Sequence, residues 1–153
     1  MEYRVYGQDV VVRMDRGEEI LDCIRQVCEK EHILLGSVSG IGAIGEVTLG
    51  VFNREKFIYE KRDYTGDMEI ASCSGNISTM KGKNYLHIHM VVGNVTRDFC
   101  CEGHLNRAVI SLTGEFVIHK IAGEVDRAYS SEIGLNLYLS LIHISEPTRP
   151  EPI

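Results

Sequence analysis

No proline occurs before residue 147 in this chain of 153 residues; the three present are Pro147, Pro150 and Pro152. Punctuation of the body falls to 15 glycines, and the proline-bearing end stands apart from it. No apolar run approaches the roughly 18 residues that a membrane-spanning helix needs. The start, Met1-Glu2-Tyr3-Arg4-Val5-Tyr6, lacks the basic-then-apolar plan of a secretory leader, which predicts a cytosolic protein. The 5 cysteines form no C-x-x-C pair, and an odd number without an export signal reads as reduced thiols rather than a disulfide framework. Positive charge is also scarce: 16 Lys and Arg against 22 Asp and Glu give a net charge of −6 and a pI near 5.5. That balance excludes wholesale coating of a phosphate backbone, though not a small local basic patch.

What remains is ordinary for one globular domain, 44% hydrophobic and 25% charged. Residues 139–153 differ. Leu139 to Arg149 resembles the translation of a transposon-type sequencing-library adapter, with Pro150, Glu151 and Pro152 then read from a sample barcode. The expectation is a single domain over residues 1–138 and a non-native tail over 139–153, poorly ordered from residue 145 on because no evolved core awaits it. His143 drops out of the candidate ligands on that reading.

Val10 to Met14 alternates as a short strand. Asp15-Arg16-Gly17-Glu18 then reads as an Asp-x-x-Glu capping box. The helix it opens carries Ile20, Leu21, Ile24, Val27 and Cys28 on one face and should end near Glu31-His32. Beyond that, Leu34–Ser39, Glu46–Phe52, Lys56–Tyr64, Met68–Ser78, Tyr85–Val92 and Ala108–Ile121 read as strands, with a hairpin turn at Met80-Lys81-Gly82-Lys83. One capped helix followed by strands predicts an α+β fold, the helix packed on a largely antiparallel sheet.

Gly40-Ile41-Gly42-Ala43-Ile44-Gly45 satisfies G-x-G-x-x-G, but a dinucleotide fingerprint needs a helix next. The chain continues as Glu46-Val47-Thr48-Leu49, which alternates like another strand, so the glycines are read as allowing tight turns between crowded strands. Leu86-His87-Ile88-His89-Met90 is more informative. Residues two apart on a strand share a face, so both imidazoles project from one side while Leu86, Ile88 and Met90 take the core side. Two neutral imidazoles begin a zinc site, which wants nitrogen ligands at about 2.0–2.1 Å. His104, in Gly103-His104-Leu105, is placed where a loop should re-enter the sheet, and three histidines with one open position match the ligand pattern of reactive zinc. The plainer alternative is a chance H-x-H on an exposed strand.

The chain resembles the plants-and-prokaryotes conserved (PPC) domain family. The likeness runs through Arg16-Gly17-Glu18-Glu19, Ser37-Val38-Ser39-Gly40-Ile41-Gly42-Ala43, Val47-Thr48-Leu49-Gly50, the segment from Met68 to Ser78, Leu86-His87-Ile88-His89, Gly103-His104-Leu105 and Glu115. The resemblance implies a homotrimer with a fold similar to acetolactate decarboxylase, and a zinc site of His87, His89 and His104. One departure is Glu102, where the family usually has glycine; it is either a carboxylate near the metal, as fourth ligand or proton carrier, or a solvated loop charge. Glu115 matches a family glutamate and is either a general base near the metal or a structural hydrogen-bonding group. Glu69 and Asn76 are candidates for lining the same cleft or a subunit contact. Cys100 and Cys101 precede His104 closely enough for thiolate ligation, against the commoner role of small buried residues. His32 suits the end of the helix dipole and His119 a surface strand. Plant relatives pair this domain with an AT-hook, an arginine-glycine-proline segment absent here, so nucleic-acid binding is not expected. Two functions stay open: metal-dependent chemistry on a small carboxylate or carbonyl compound, and a non-catalytic trimeric binding or regulatory module, to which DNA binding attaches only by analogy with the family.

Overall fold

A computed structural model describes residues 1–139; the expectation for the tail falls, beyond Leu139, outside the described residues. The chain forms β1 (Glu2–Tyr6), β2 (Asp9–Asp15), α1 (Ile20–Lys30), β3 (Gly36–Asn53), β4 (Ile58–Met80), β5 (Lys83–Asn94), a 3-10 turn (Val95–Arg97), β6 (Phe99–Lys120), β7 (Arg127–Ser130) and β8 (Leu135–Tyr138). The main sheet runs β1-β2-β6-β3-β4-β5, every pair antiparallel, and β5 pairs again with the start of β6. That last pairing closes β6, β3, β4 and β5 into a ring. The α+β expectation holds, with one helix on a largely antiparallel sheet.

The helix buries Ile20, Leu21, Cys23, Ile24, Val27 and Cys28 against β6 and β5. Opposite them lie Val10, Val12 and Met14 of β2, Ile88 and Met90 of β5, and Phe116 and Ile118 of β6, all buried. Three expectations need correction. Asp15 does not cap the helix: the Glu19 carboxylate accepts from the Leu21 and Asp22 amides at 3.1 and 3.0 Å. It also accepts from the Ala108 amide at 3.0 Å, so the cap docks the helix on β6, which no local pattern could reveal. Asp15 and Glu18 still bond each other, the Asp15 amide donating to the Glu18 carboxylate at 2.7 Å. The paired short strands of the sequence reading are single long strands, β3 and β4, that bend without breaking. Register shifts at Gly40/Gly42 and Ile44/Glu46 take up the bends, so the glycine-rich segment lies inside a strand and no helix follows it. Finally, His104 lies within β6 rather than at a loop exit, and the β7–β8 hairpin was not anticipated.

The hairpin between β4 and β5 is the one expected. Lys81 and Gly82 both take positive φ, 52° and 76°, and Met80 pairs with Lys83, as in a two-residue type I′ turn. The turn fixes the register of β5 and so decides which face the histidines take. Gly75 fixes how close β5 can come: a Cβ there would run into the His87 carbonyl oxygen and backbone of Ile88. Gly75→Ala should lower stability by about 1–3 kcal/mol, as overpacking does. Urea unfolding would measure it, and an unchanged midpoint would show that the strands part freely at this point.

Candidate metal centre

Burial alternates along β5, with Ile88, Met90 and Val92 inward, and His87 and His89 outward, His89 exposed. The register then assembles the site. His89 pairs with His104 across the β5–β6 closure, and on the other side His87 pairs with Asn76 and His89 with Ser74 of β4. Ring centroids lie 5.2 Å apart for His87–His89, 5.1 Å for the stacked His87–His104 pair and 4.1 Å for His89–His104. The ligand atoms of the three imidazoles all lie within 4.8 Å of one another, and no carboxylate or thiol joins that cluster among the described residues.

The donor set fits a divalent metal. Two nitrogens each about 2.0–2.1 Å from a tetrahedral zinc stand about 3.3–3.4 Å apart. His87 Nε2 and His89 Nε2 are 3.3 Å apart. Protonation is also suited: burial, then the nearby Arg127 guanidinium and the other two imidazoles, lower the His87 pKa to about 4. Burial and His89 lower that of His104 against the opposing pull of Glu102. His87 is thus a neutral imidazole at neutral pH, the form in which nitrogen binds metal.

Beside the histidines opens a cleft of about 400 Å³, lined by His87 and His104 together with Tyr59, Tyr85, Asn106 and Asn136. Asn106 Nδ2 donates to Tyr59 Oη at 2.8 Å and to the His104 carbonyl oxygen at 3.1 Å, bracing the wall against β6. The β7–β8 hairpin supplies the opposite wall and is pinned by Arg127, which is only 8% exposed. Its Nε donates to Ser78 Oγ at 2.8 Å, Nη1 to the Asn136 carbonyl at 2.9 Å and Nη2 to Asn76 Oδ1 at 2.8 Å. The guanidinium also packs over the rings of Tyr85 and Tyr138, 4.8 and 4.3 Å from their centroids.

Of the other residues singled out from the sequence, Asn76 lies next to the cluster, cross-strand from His87. Glu102 is exposed and two residues from His104, so it shares that face of β6, but it borders a groove with Arg62 and Tyr64. Glu115 is not brought to the histidines. It lines a shallow groove with Ile41, Ser74 and Val117, and β4 and β3 intervene between β5 and its part of β6. Glu69 lies in a separate groove of about 840 Å³ with Arg16, Asn94 and Cys100. Cys100 and Cys101 stay outside the cluster, and burial holds the Cys101 pKa above its ordinary value. Sequence reasoning missed Arg127, Tyr85, Tyr59 and Asn106. A hairpin around Gly134 was detectable from the apolar alternation flanking it, but its seat over β4 and β5 was not.

The Plants and Prokaryotes Conserved (PCC) domain model matches residues 1–122. A solved structure from Bacteroides thetaiotaomicron, proposed to be a DNA-binding protein, is 36% identical and superposes with a TM-score of 0.85 over 90% of this chain and 95% of that one. A metal-containing protein from Archaeoglobus fulgidus is 30% identical, with a TM-score of 0.81 over 90% of this chain and 96% of that one. Acetolactate decarboxylase from Bacillus subtilis shares the fold alone, at 10% identity and a TM-score of 0.51 over 72% of this chain and 52% of that one. Comparison with curated proteins gives no match. Because the cysteines sit outside the cluster, a Cys100→Ser, Cys101→Ser double variant should keep the metal content of the wild type by atomic emission. A content that falls with the cysteines would make one of them a ligand.

Proposed function

The chain belongs to the Plants and Prokaryotes Conserved domain family, and from that premise we propose that it binds zinc through His87, His89 and His104 and acts on a small carboxylate or carbonyl compound in the adjoining cleft. The observation that carries this reading is the convergence of three imidazoles, without a carboxylate or thiol among the described residues, two of which, His87 and His104, line an open cleft. The Archaeoglobus relative, 30% identical and metal-containing, supports the metal part of this reading. The chemistry such an ion supplies is Lewis-acid polarisation of a bound oxygen. Within the chain, His87, His89 and His104 hold the ion, and Tyr59, Tyr85 and Asn106 shape the space for the organic ligand. Asn76 contributes a hydrogen bond beside His87, and Glu102, on the same face as His104, carries a proton. Glu115 lies with Val11, Val117 and Ile41 on an outer apolar strip, where Val11 pairs with Val117 and Glu115 with Ile41. That strip is the face we assign to homotrimer assembly, and Glu69 to a second contact outside the cleft.

A non-catalytic binding module is the second reading, favoured by the description of the Bacteroides relative as proposed to bind DNA. A net charge of −6 works against it, since phosphate contacts are made by Lys and Arg. Metal content per chain, with a His87→Ala, His89→Ala variant alongside, tests the first reading. The wild type should hold about one zinc ion per chain and the variant almost none, at the same elution volume on gel filtration, since three ligands with an open position are the pattern of a reactive site rather than of a closed four-ligand site that holds a fold. A wild type purified without chelators and devoid of metal would overturn it. Val117→Arg should shift light-scattering mass from trimer to monomer while leaving the metal in place; an unchanged mass would remove the strip from assembly.

A further inference from the structure

Arg127 is a buried cation with an unusual set of partners. Its three side-chain bonds go to a hydroxyl, a backbone carbonyl and an amide oxygen, and no carboxylate lies within ion-pair distance among the described residues. Neutral acceptors and the two tyrosine faces hold the guanidinium but leave it without a counter-ion, a costly arrangement that an arriving anion would relieve. The bond to Asn76 has a second consequence. A guanidinium only donates, so the oxygen of the Asn76 amide must face Arg127 and the amide cannot flip. The Nδ2 group is thereby turned to the other side, where it has no hydrogen-bond partner among the described residues and is not sealed in the interior. Asn76 stands directly across the ladder from His87, on the same outer face. Ser78 and Tyr85, the next pair on that face, complete the seat of the guanidinium.

We infer that Arg127 and Asn76 form a carboxylate-orienting device, in which the locked Asn76 amide donates to an anionic ligand beside His87 and Arg127 acts through it as a positioning residue. The inference rests on the metal reading for the ion that shares this ligand. Electrostatics favour an anion in either case: an imidazole carries no negative charge, the guanidinium brings a positive one, and a divalent ion would add to it. The hairpin that Arg127 anchors through the Asn136 carbonyl also lines the cleft beside His87, with Tyr129, Leu135 and Asn136.

Asn76→Asp separates this role from a structural one. An aspartate keeps an acceptor for Arg127 and adds a true ion pair, so the fold should be retained or strengthened, while the Nδ2 donor and the free positive charge are both lost. Acetate and glycolate binding, followed by NMR on the zinc-treated full chain, should weaken at least tenfold in Asn76→Asp, with an unchanged or higher melting temperature. Arg127→Lys, which keeps charge but loses the planar fork, should weaken it as well. Equal carboxylate affinity in Asn76→Asp and wild type would overturn the inference, as would a wild type that binds neither acid. Loss of zinc from Asn76→Asp alone would also overturn it, by making the amide a support for His87 rather than for a ligand. Zinc content of the same samples keeps the two claims apart. A wild type without metal sinks the metal reading, and carboxylate binding that still depends on Asn76 in that protein would support the orienting device.

Discussion

The pairing of β5 with Phe99–His104 of β6 closes the sheet on itself and in the same stroke sets His89 opposite His104. Register is the constraint on which the site depends. Side chains on a strand alternate with period two, so a slip of one residue would turn His87 and His89 into the core and Ile88 and Met90 out to solvent. Apolar burial on one face therefore enforces the position of the imidazoles on the other. The type I′ turn at Lys81-Gly82 sets that register from one end, and the close approach at Gly75 tightens it beside His87. The geometry of the imidazole cluster is a by-product of core packing, which is why the imidazoles can be held in place while lying on an outer face.

Around this ladder the remaining elements take supporting roles. The helix closes the inner face, docked at its first turn by Glu19 reaching the Ala108 amide. The β7–β8 hairpin covers the outer face near β4 and β5, where Arg127 fastens it, and its turn at Gly134 reaches Phe52 and Phe57. Burial falls most heavily on the thiols of the inner layer: the pKa of Cys23 is pushed up to about 11 and those of Cys28 and Cys73 to about 12, so these groups stay as packing material. The outer layer is where polar and charged groups converge on a shared space.

The parts of this arrangement that sequence reveals are those governed by local periodicity. The helical stripe from Ile20 to Cys28, the I′ turn and the outward face of His87 and His89 all follow from spacing of two or of 3.6. What spacing does not carry is long-range partnership. Asp15 looked like the helix cap because Asp-x-x-Glu is a local signal, yet Glu19 takes that place through a contact to a residue 89 positions away. The long strands β3 and β4 were read as pieces because glycines in a bent strand and glycines in a turn look alike along the chain. Arg127 is the clearest case, since its meaning comes from Asn76, Ser78, the Asn136 carbonyl and two tyrosines, contributed by β4, β5 and β8. Glu115, drawn toward the histidines by family likeness, lies across two intervening strands from β5.

X-ray absorption at the zinc edge of the zinc-loaded protein tests the central claim most directly, because it counts and identifies the atoms around the ion. Three imidazole nitrogens and one oxygen at about 2.0–2.1 Å, with no sulfur shell, is the predicted spectrum. A sulfur shell at about 2.3 Å, or scattering from water alone, would place the metal elsewhere on the chain and contradict the assignment of His87, His89 and His104.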